Sequence, residues 1–251
     1  MRKLSAVAAL CLLLFMYSKT NAQSSLPEYE LGLQFGAVIY QGDLTPDYYG
    51  AFNTVKPAFG ISVARNINTH YALRFHLLHG SMNGDDASYR NPEWRKKRGF
   101  TFQTPVTEIS LQVVRNVLSL HANDAGIINF VPYVFGGISY SFLNIKRDWS
   151  RFNDAHFSTE PNITNGLAED LNKKLPKAIV FFPVGAGVRY GINEKFSFNI
   201  EGTYQVLNND YLDGFSQSAN PGKNDHYHSV MLGLIYSLGK RNKFDCPRVG
   251  Y

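Results

Sequence analysis

Cysteine is almost missing from this 251-residue chain, which has only Cys11 and Cys246. Cys11 lies between Leu10 and Leu12 in an apolar run near the amino terminus, which is not the setting of a lipoprotein cysteine. Once that run is removed Cys246 stands alone, so an internal disulfide is excluded; its thiol is either free or joined to another chain. A second long apolar run is missing too. A membrane helix needs about 20 consecutive apolar residues, and beyond the amino-terminal run no stretch comes close. Charge is sparse, at 18% of residues, and the mature sequence has no His-x-x-x-His or cysteine pair at metal-ligand spacing.

What is present begins with a leader. Arg2 and Lys3 precede an apolar run over 4–17, and Thr20-Asn21-Ala22 offers a small-residue cleavage site, which predicts a signal peptide over 1–22 and a mature chain from Gln23. The leader carries Arg2, Lys3 and Lys19 and no acidic residue, so its loss takes the net charge from +5 to +2. The basic character of the full chain therefore implies no nucleic-acid partner.

From Glu30 onward one unit repeats: about ten residues of alternating apolar and polar or small side chains, then a break rich in Gly, Asn and Asp. In the segment 196–206, Phe196, Phe198, Ile200 and Tyr204 fall on one face, and Ser197, Asn199, Glu201, Thr203 and Gln205 on the other. The rhythm predicts strands over 30–40, 57–66, 71–82, 100–116, 130–142, 178–190, 196–206 and 228–238. The expected fold is all-β: an eight-stranded antiparallel up-and-down outer-membrane barrel over 23–238, with a periplasmic tail over 239–251. The connections alternate between long and short. With the amino terminus in the periplasm, the long ones, including 143–177, fall outside the cell.

The faces predict which side meets lipid. Leu31, Leu33, Phe35 and Ile39, then Phe59, Ile61 and Val63, then Leu73, Phe75 and Leu77 face outward. So do Val184, Ala186, Val188 and Tyr190, and Val230, Leu232, Leu234 and Tyr236. The complementary face carries the lumen charges Glu30, Arg74, Glu108, Arg189 and Glu201, with Gln34, His76 and Gln112. Acids and bases mixed in one interior can pair, and left unpaired they would be costly. A soluble lipocalin-like barrel would invert this pattern. Eight strands leave a lumen that side chains fill, which argues against a pore.

Candidate chemistry is thin. His76, His79 and Ser81, with His226, His228, Ser229 and either Glu108 or Glu201, supply the residue types of a nucleophile, base and acid, as in an outer-membrane lipid hydrolase. No spacing among them is diagnostic, and ordinary rim and lumen residues are the preferred reading. The oxygen-rich loop 208–214 lacks calcium-loop spacing and reads as turn chemistry. Asn162-Ile163-Thr164 matches a glycosylation sequon by chance, and Trp94 followed by Arg95, Lys96, Lys97 and Arg98 reads as a solvated basic loop. No catalytic, metal or cofactor site and no small-molecule substrate is expected.

The tail breaks the rhythm. Its Lys240, Arg241, Lys243 and Arg248 outweigh Asp245, and Phe244, Cys246 and Tyr251 add apolar anchor points and the lone thiol. The expected partner-binding residues are Lys240, Arg241, Lys243, Phe244, Cys246, Arg248 and Tyr251, with the turn 121–126 as a second contact on the same side.

Several short motifs occur in a recognisable order: Tyr40-Gln41-Gly42-Asp43-Leu44, Lys56-Pro57-Ala58-Phe59-Gly60, and 105–110 with Glu108. Phe182-Pro183-Val184-Gly185 follows with Gly187, Val188 and Tyr190, and then Asp210-Tyr211-Leu212-Asp213. In these the mature chain resembles the PorG family, the outer-membrane barrel component of the type IX secretion system of Bacteroidota. The resemblance implies a non-enzymatic role beside a periplasmic ring of PorK and PorN type; the tail's own residues leave Cys246 able to crosslink to such a partner, with outer-membrane lipid as surroundings. An adhesin-type display barrel and a lipid-modifying enzyme remain as alternatives.

Overall fold

The computed structural model describes residues 27–45, 50, 52–118, 130–193, 195–206, 211–219 and 225–238. Alternation of apolar and polar residues gives β1 (Tyr29–Gln41), β2 (Lys56–Asn66), β3 (Tyr71–Asp85), β4 (Thr101–Asn116) and β5 (Phe130–Leu143). A short β6 (Lys146–Asp148) is followed by β7 (Ala178–Gly191), β8 (Phe196–Val206) and β9 (His226–Leu238). Eight of these pair antiparallel with their neighbours around a ring. The order runs β3-β2-β1-β9-β8-β7-β5-β4, and the β3–β4 pairing closes it. No edge is left open in such a ring. β6 stands outside it, pairing only with Thr101 to Gln103 where β4, still paired with β3, projects past β5.

Register follows from the faces, since a slip of one residue would turn every apolar side chain inward. On β1, Leu33 is 64% exposed and its neighbour Gln34 only 6%. Phe35 pairs with Phe59 on β2 and Leu232 on β9, continuing an outer wall of Leu, Ile, Val and Phe around the ring. Tyr29, Tyr71, Phe130, Tyr190 and Phe196 ring the short-turn end of that wall, as an interfacial aromatic girdle does. One expected lipid contact is corrected. Ile39 is 6% exposed, because the backbone at Gly50 lies against its outer side.

Two short turns are fixed by the same device. Asn68 Oδ1 accepts from the backbone N–H of His70 and Tyr71, and Asn193 Oδ1 from those of Lys195 and Phe196, each at 2.9 Å. The long-loop end is different. β3 runs on to Asp85 and β9 starts at His226, each beyond its expected limit, and short helices α1 (Trp94–Arg98), α2 (Asp154–Phe157) and α3 (Pro161–Asn172) form between strands. The segment 143–177, expected as a plain connection, thus contains β6, α2 and α3, with Leu167 and Asp170 of α3 buried.

Candidate functional site

The lumen is filled in layers. Near the short turns, Arg189 Nη1 lies 2.9 Å from Glu30 Oε1, and Asn66 Nδ2 donates to the same oxygen. Higher, Arg74 reaches Glu201 at 2.8 Å and Gln112 at 2.7 Å, with its guanidinium 4.4 Å from the Phe135 ring centre. The Tyr133 hydroxyl donates to Glu201 at 2.8 Å and accepts from Asn199 at 2.9 Å. Above these, Glu108 has no cationic partner among the described residues; Gln205 Nε2 and the Tyr227 hydroxyl donate to it, both at 2.8 Å to Oε2. The expectation of acid–base pairing therefore fails at Glu108, which neutral donors satisfy instead.

Glycines on β7 make room for this packing. A Cβ at Gly185 would sit 2.3 Å from Phe135 Cζ and 2.4 Å from the Gly202 carbonyl oxygen; one at Gly187 would sit 2.5 Å from Tyr133 Cζ. Glycine is what lets the two rings turn into the lumen.

Beyond Glu108 the filling becomes apolar. Met231, Phe181, Val106 and Met82 lead into a cluster with Leu44, Phe100, Phe102, Leu212 and Phe215, all buried. Phe100 and Phe215 stack at 4.3 Å with planes 5° apart. The polar charges of the lumen are thus confined to its lower part, and the long-loop end is closed by a cap resembling the core of a soluble protein.

Buried aspartates hold the cap's segments in place. Asp86, fully buried, accepts from Arg98 Nε at 2.7 Å and Nη2 at 2.9 Å, from Arg95 at 3.2 Å and from the Phe100 N–H at 3.2 Å. Burial, reinforced by neighbouring Arg98, lowers the pKa of Arg95. Asp170 on α3 accepts from the N–H groups of Ser216, Gln217 and Ser218 and from the Ser218 hydroxyl at 2.6 Å. Asp213 accepts from the Phe215 N–H, and Asp225 from the Leu212 N–H. The Tyr40 hydroxyl lies 2.7 Å from both of these carboxylates. A phenol has one proton, so the second short contact needs a proton from a carboxyl group. Burial first, and then the charge of Asp225, push the Asp213 carboxyl well above its usual value, in keeping with a shared proton.

The sequence-based catalytic set does not assemble. His76 and Ser229 point inward, with His76 Nε2 2.7 Å from Gln34 Oε1. His79 and Ser81 alternate to the other face of β3, where they meet Thr107 and Asn83, and His226 and His228 likewise oppose Ser229 on β9. The basic run 94–98 is corrected as well: it is helical, and Arg98 is 2% exposed on Asp86 rather than solvated. Within the loop 208–214, Asp213 serves turn and cap contacts. Among the described residues no group of three or more His, Cys, Asp or Glu is placed to hold a metal ion. Lys240, Arg241, Lys243, Phe244, Cys246, Arg248, Tyr251 and the turn 121–126 lie outside the described residues.

Asp86 and Asp170 were missed because isolated aspartates in polar loops carry no pattern. A signal did exist for the other cap residues: Tyr40 to Leu44 and Tyr211 to Asp213, far apart in sequence, form one cluster through Tyr40, Leu44, Leu212 and Asp213.

A closed eight-stranded barrel with an apolar outer wall and a polar, hydrogen-bonded interior is an outer-membrane β-barrel, here with its lumen filled and one end capped. Residues 5–248 match DUF6089, a domain of unknown function, and the chain belongs to that family. No curated protein matches it. Among solved structures it is similar to Ail, the attachment invasion locus protein of Yersinia pestis, with 9% identity, 84% of this chain and 98% of that one covered, and a TM-score of 0.43. It is also similar to Neisserial surface protein A (12%, 84% and 97%, 0.47) and to the outer membrane protein OprG from Pseudomonas aeruginosa (11%, 85% and 97%, 0.46).

Proposed function

We propose that this protein is a non-enzymatic outer-membrane component of the type IX secretion system, anchoring or positioning a periplasmic ring of PorK and PorN type. The reading is supported by what the PorG-like motifs do. Tyr40, Leu44, Leu212 and Asp213 build the cap, and Gly185 and Gly187 seat the lumen aromatics, so the motifs specify a plugged barrel rather than a reaction centre. A barrel of this width, filled from Glu30 to Phe215, carries no cargo itself. Its work falls to its surfaces. With the long loops outside, the short-turn end and the tail face the ring, and Lys240, Arg241, Lys243 and Arg248 supply charge while Cys246 supplies a thiol for crosslinking.

The test is purification of the tagged full chain from membranes, followed by non-reducing and reducing electrophoresis, beside a variant combining Cys246→Ser with deletion of 239–251. Loss of ring proteins and of secretion in the variant supports the proposal; retention of both overturns it. A surface-display role is the competing reading, favoured by a cap whose segments are internally fixed by Asp86 and Asp170. It predicts full function without the tail.

A further inference from the structure

On the flank of the cap, just beyond the lipid-facing wall, is an open cavity of about 530 Å³. Its sides include Asn53, Thr54, Lys56, Asn83, Gln103 and Lys146. We propose that it binds an anionic glycan, of the phosphorylated-sugar type that outer-leaflet glycolipids carry as headgroups.

Four observations carry this. First, the volume suits a small ligand, since such sites span roughly 300–1,000 Å³. Second, the walls are preformed. Thr54 Oγ1 donates to the Asn83 carbonyl at 2.7 Å, tying the turn 52–54 to β3, and β6 is paired to β4 through Gln103 and Lys146.

Third, the charge around the cavity is net cationic: Lys56, Lys146, Arg147 and the neighbouring Arg151 stand against Asp85 and Asp148. Asp85 is engaged by Arg151 and by the Ala87 N–H, both at 2.8 Å, and Asp148 by the Ser150 N–H and hydroxyl. Arg147 is committed to the carbonyls of Gly214 and Leu171. The ammonium groups of Lys56 and Lys146 are exposed and have no hydrogen-bond or ion-pair partner among the described residues. The amide of Gln103 is equally unengaged, and Asn83 uses only its Oδ1, toward Ser81. Two ammonium groups beside amides match a phosphate attached to a sugar, whose hydroxyls both give and take hydrogen bonds.

Fourth, the cavity stands at headgroup height. Lys56 is three residues beyond Phe59, which is 59% exposed on the outer wall. At about 3.3 Å per residue that is roughly 10 Å along the strand, and less in height because strands of such barrels tilt by about 35–45°. The site itself does not depend on the secretion role. Only its supply by the outer leaflet depends on the long loops facing outward.

The test uses the full chain in nanodiscs of zwitterionic phosphatidylcholine, with lipid A as probe and native mass spectrometry or thermophoresis as readout. Three comparisons accompany it: dephosphorylated lipid A, the soluble deacylated disaccharide bisphosphate, and the paired variants Lys56→Ala/Lys146→Ala and Lys56→Arg/Lys146→Arg. The alanine pair is expected to weaken binding about tenfold or more, equivalent to at least one lost charge-assisted contact, while the arginine pair retains it. Lys56→Gln/Lys146→Gln repeats the measurement if the alanine pair lowers the folded yield. Binding of the soluble bisphosphate as well as the lipid would identify a free anionic glycan as a sufficient ligand, and binding of the lipid alone a membrane source. Equal binding by the wild type and the neutralised pair, or no preference for the phosphorylated lipid, overturns the proposal.

Discussion

Replacing Asp86 by alanine removes the acceptor of four hydrogen bonds from Arg95, Arg98 and the Phe100 N–H. The two arginines respond differently. Both border a recess of about 210 Å³ beside Trp94, but Arg95 is the more exposed of the two and can turn outward, whereas Arg98 is 2% exposed and packed on Phe100, so it keeps a buried charge without its Asp86 counterion. Breaking a buried ion pair from one side costs about 3–5 kcal/mol. The loss should stay in the cap, because Asp86 makes no contact with the layers around Glu108, Glu201 and Glu30. Converted at about 1.4 kcal/mol per decade, hydrogen exchange in the segments 99–104 and 211–219 should quicken by roughly two to three and a half orders of magnitude. The β8–β9 ladder should be unchanged. Adding Arg98→Met removes the stranded charge, so the double variant should cost well under the sum of the single ones. Asp86→Ala with cap protection intact, or with protection lost equally in cap and barrel, would refute the reasoning.

Other outcomes follow from the same contacts. Because the Asp213 carboxyl titrates well above its unfolded value, the native cap binds more protons than the unfolded chain; stability should fall as pH rises from about 4 toward that raised value. Asp213→Asn keeps an acceptor for the Phe215 N–H and offers Tyr40 a donor, so thermal unfolding across pH 5–9 should show a shallower fall; an unaltered slope would count against the shared proton. Arg74→Met should cost about 3–5 kcal/mol in urea unfolding from lipid vesicles, by stranding Glu201 with neutral partners, and Arg74→Met/Glu201→Gln much less; a single-variant loss below about 1 kcal/mol would show that the pair is dispensable. Gly185→Val should lower the yield of folded barrel, since its Cβ would overlap the Phe135 ring, whereas Gly202→Ala, with nothing within 4 Å of the new atom, should fold normally. Equal yields from these two variants would contradict the packing described for the lumen.

The barrel was legible because period-two alternation is a local signal repeated in every strand. Leu33 against Gln34 on β1 shows how it separates the faces. Which lumen charges would pair was not legible: Arg74 and Glu201 are 127 positions apart and Arg189 and Glu30 are 159 apart, so only closure of the ring brings them together. The cap was hidden for a different reason. Asp86, Asp170 and Asp213 sit in polar segments where an aspartate ordinarily makes a turn, and their burial comes from tertiary packing that no local pattern records. Arg98 misled in the same way, since a run of basic residues reads as solvated until a buried carboxylate is found beneath it. Ile39 had the correct parity for the outer face, yet the connection at Gly50 covers it. His76, His79 and Ser81 were grouped by residue type, and parity alone divides them between lumen and outer face.

If the barrel works through its surfaces, its lumen must be shut under native conditions. Recording ion current across planar bilayers containing the purified full chain asks this without reference to any partner. The structure predicts a silent bilayer at moderate voltage, with the layers from Glu30–Arg189 to Phe100–Phe215 leaving no continuous aqueous path. A stable, reproducible single-channel conductance from the wild-type protein would contradict the plugged barrel and the docking role built on it.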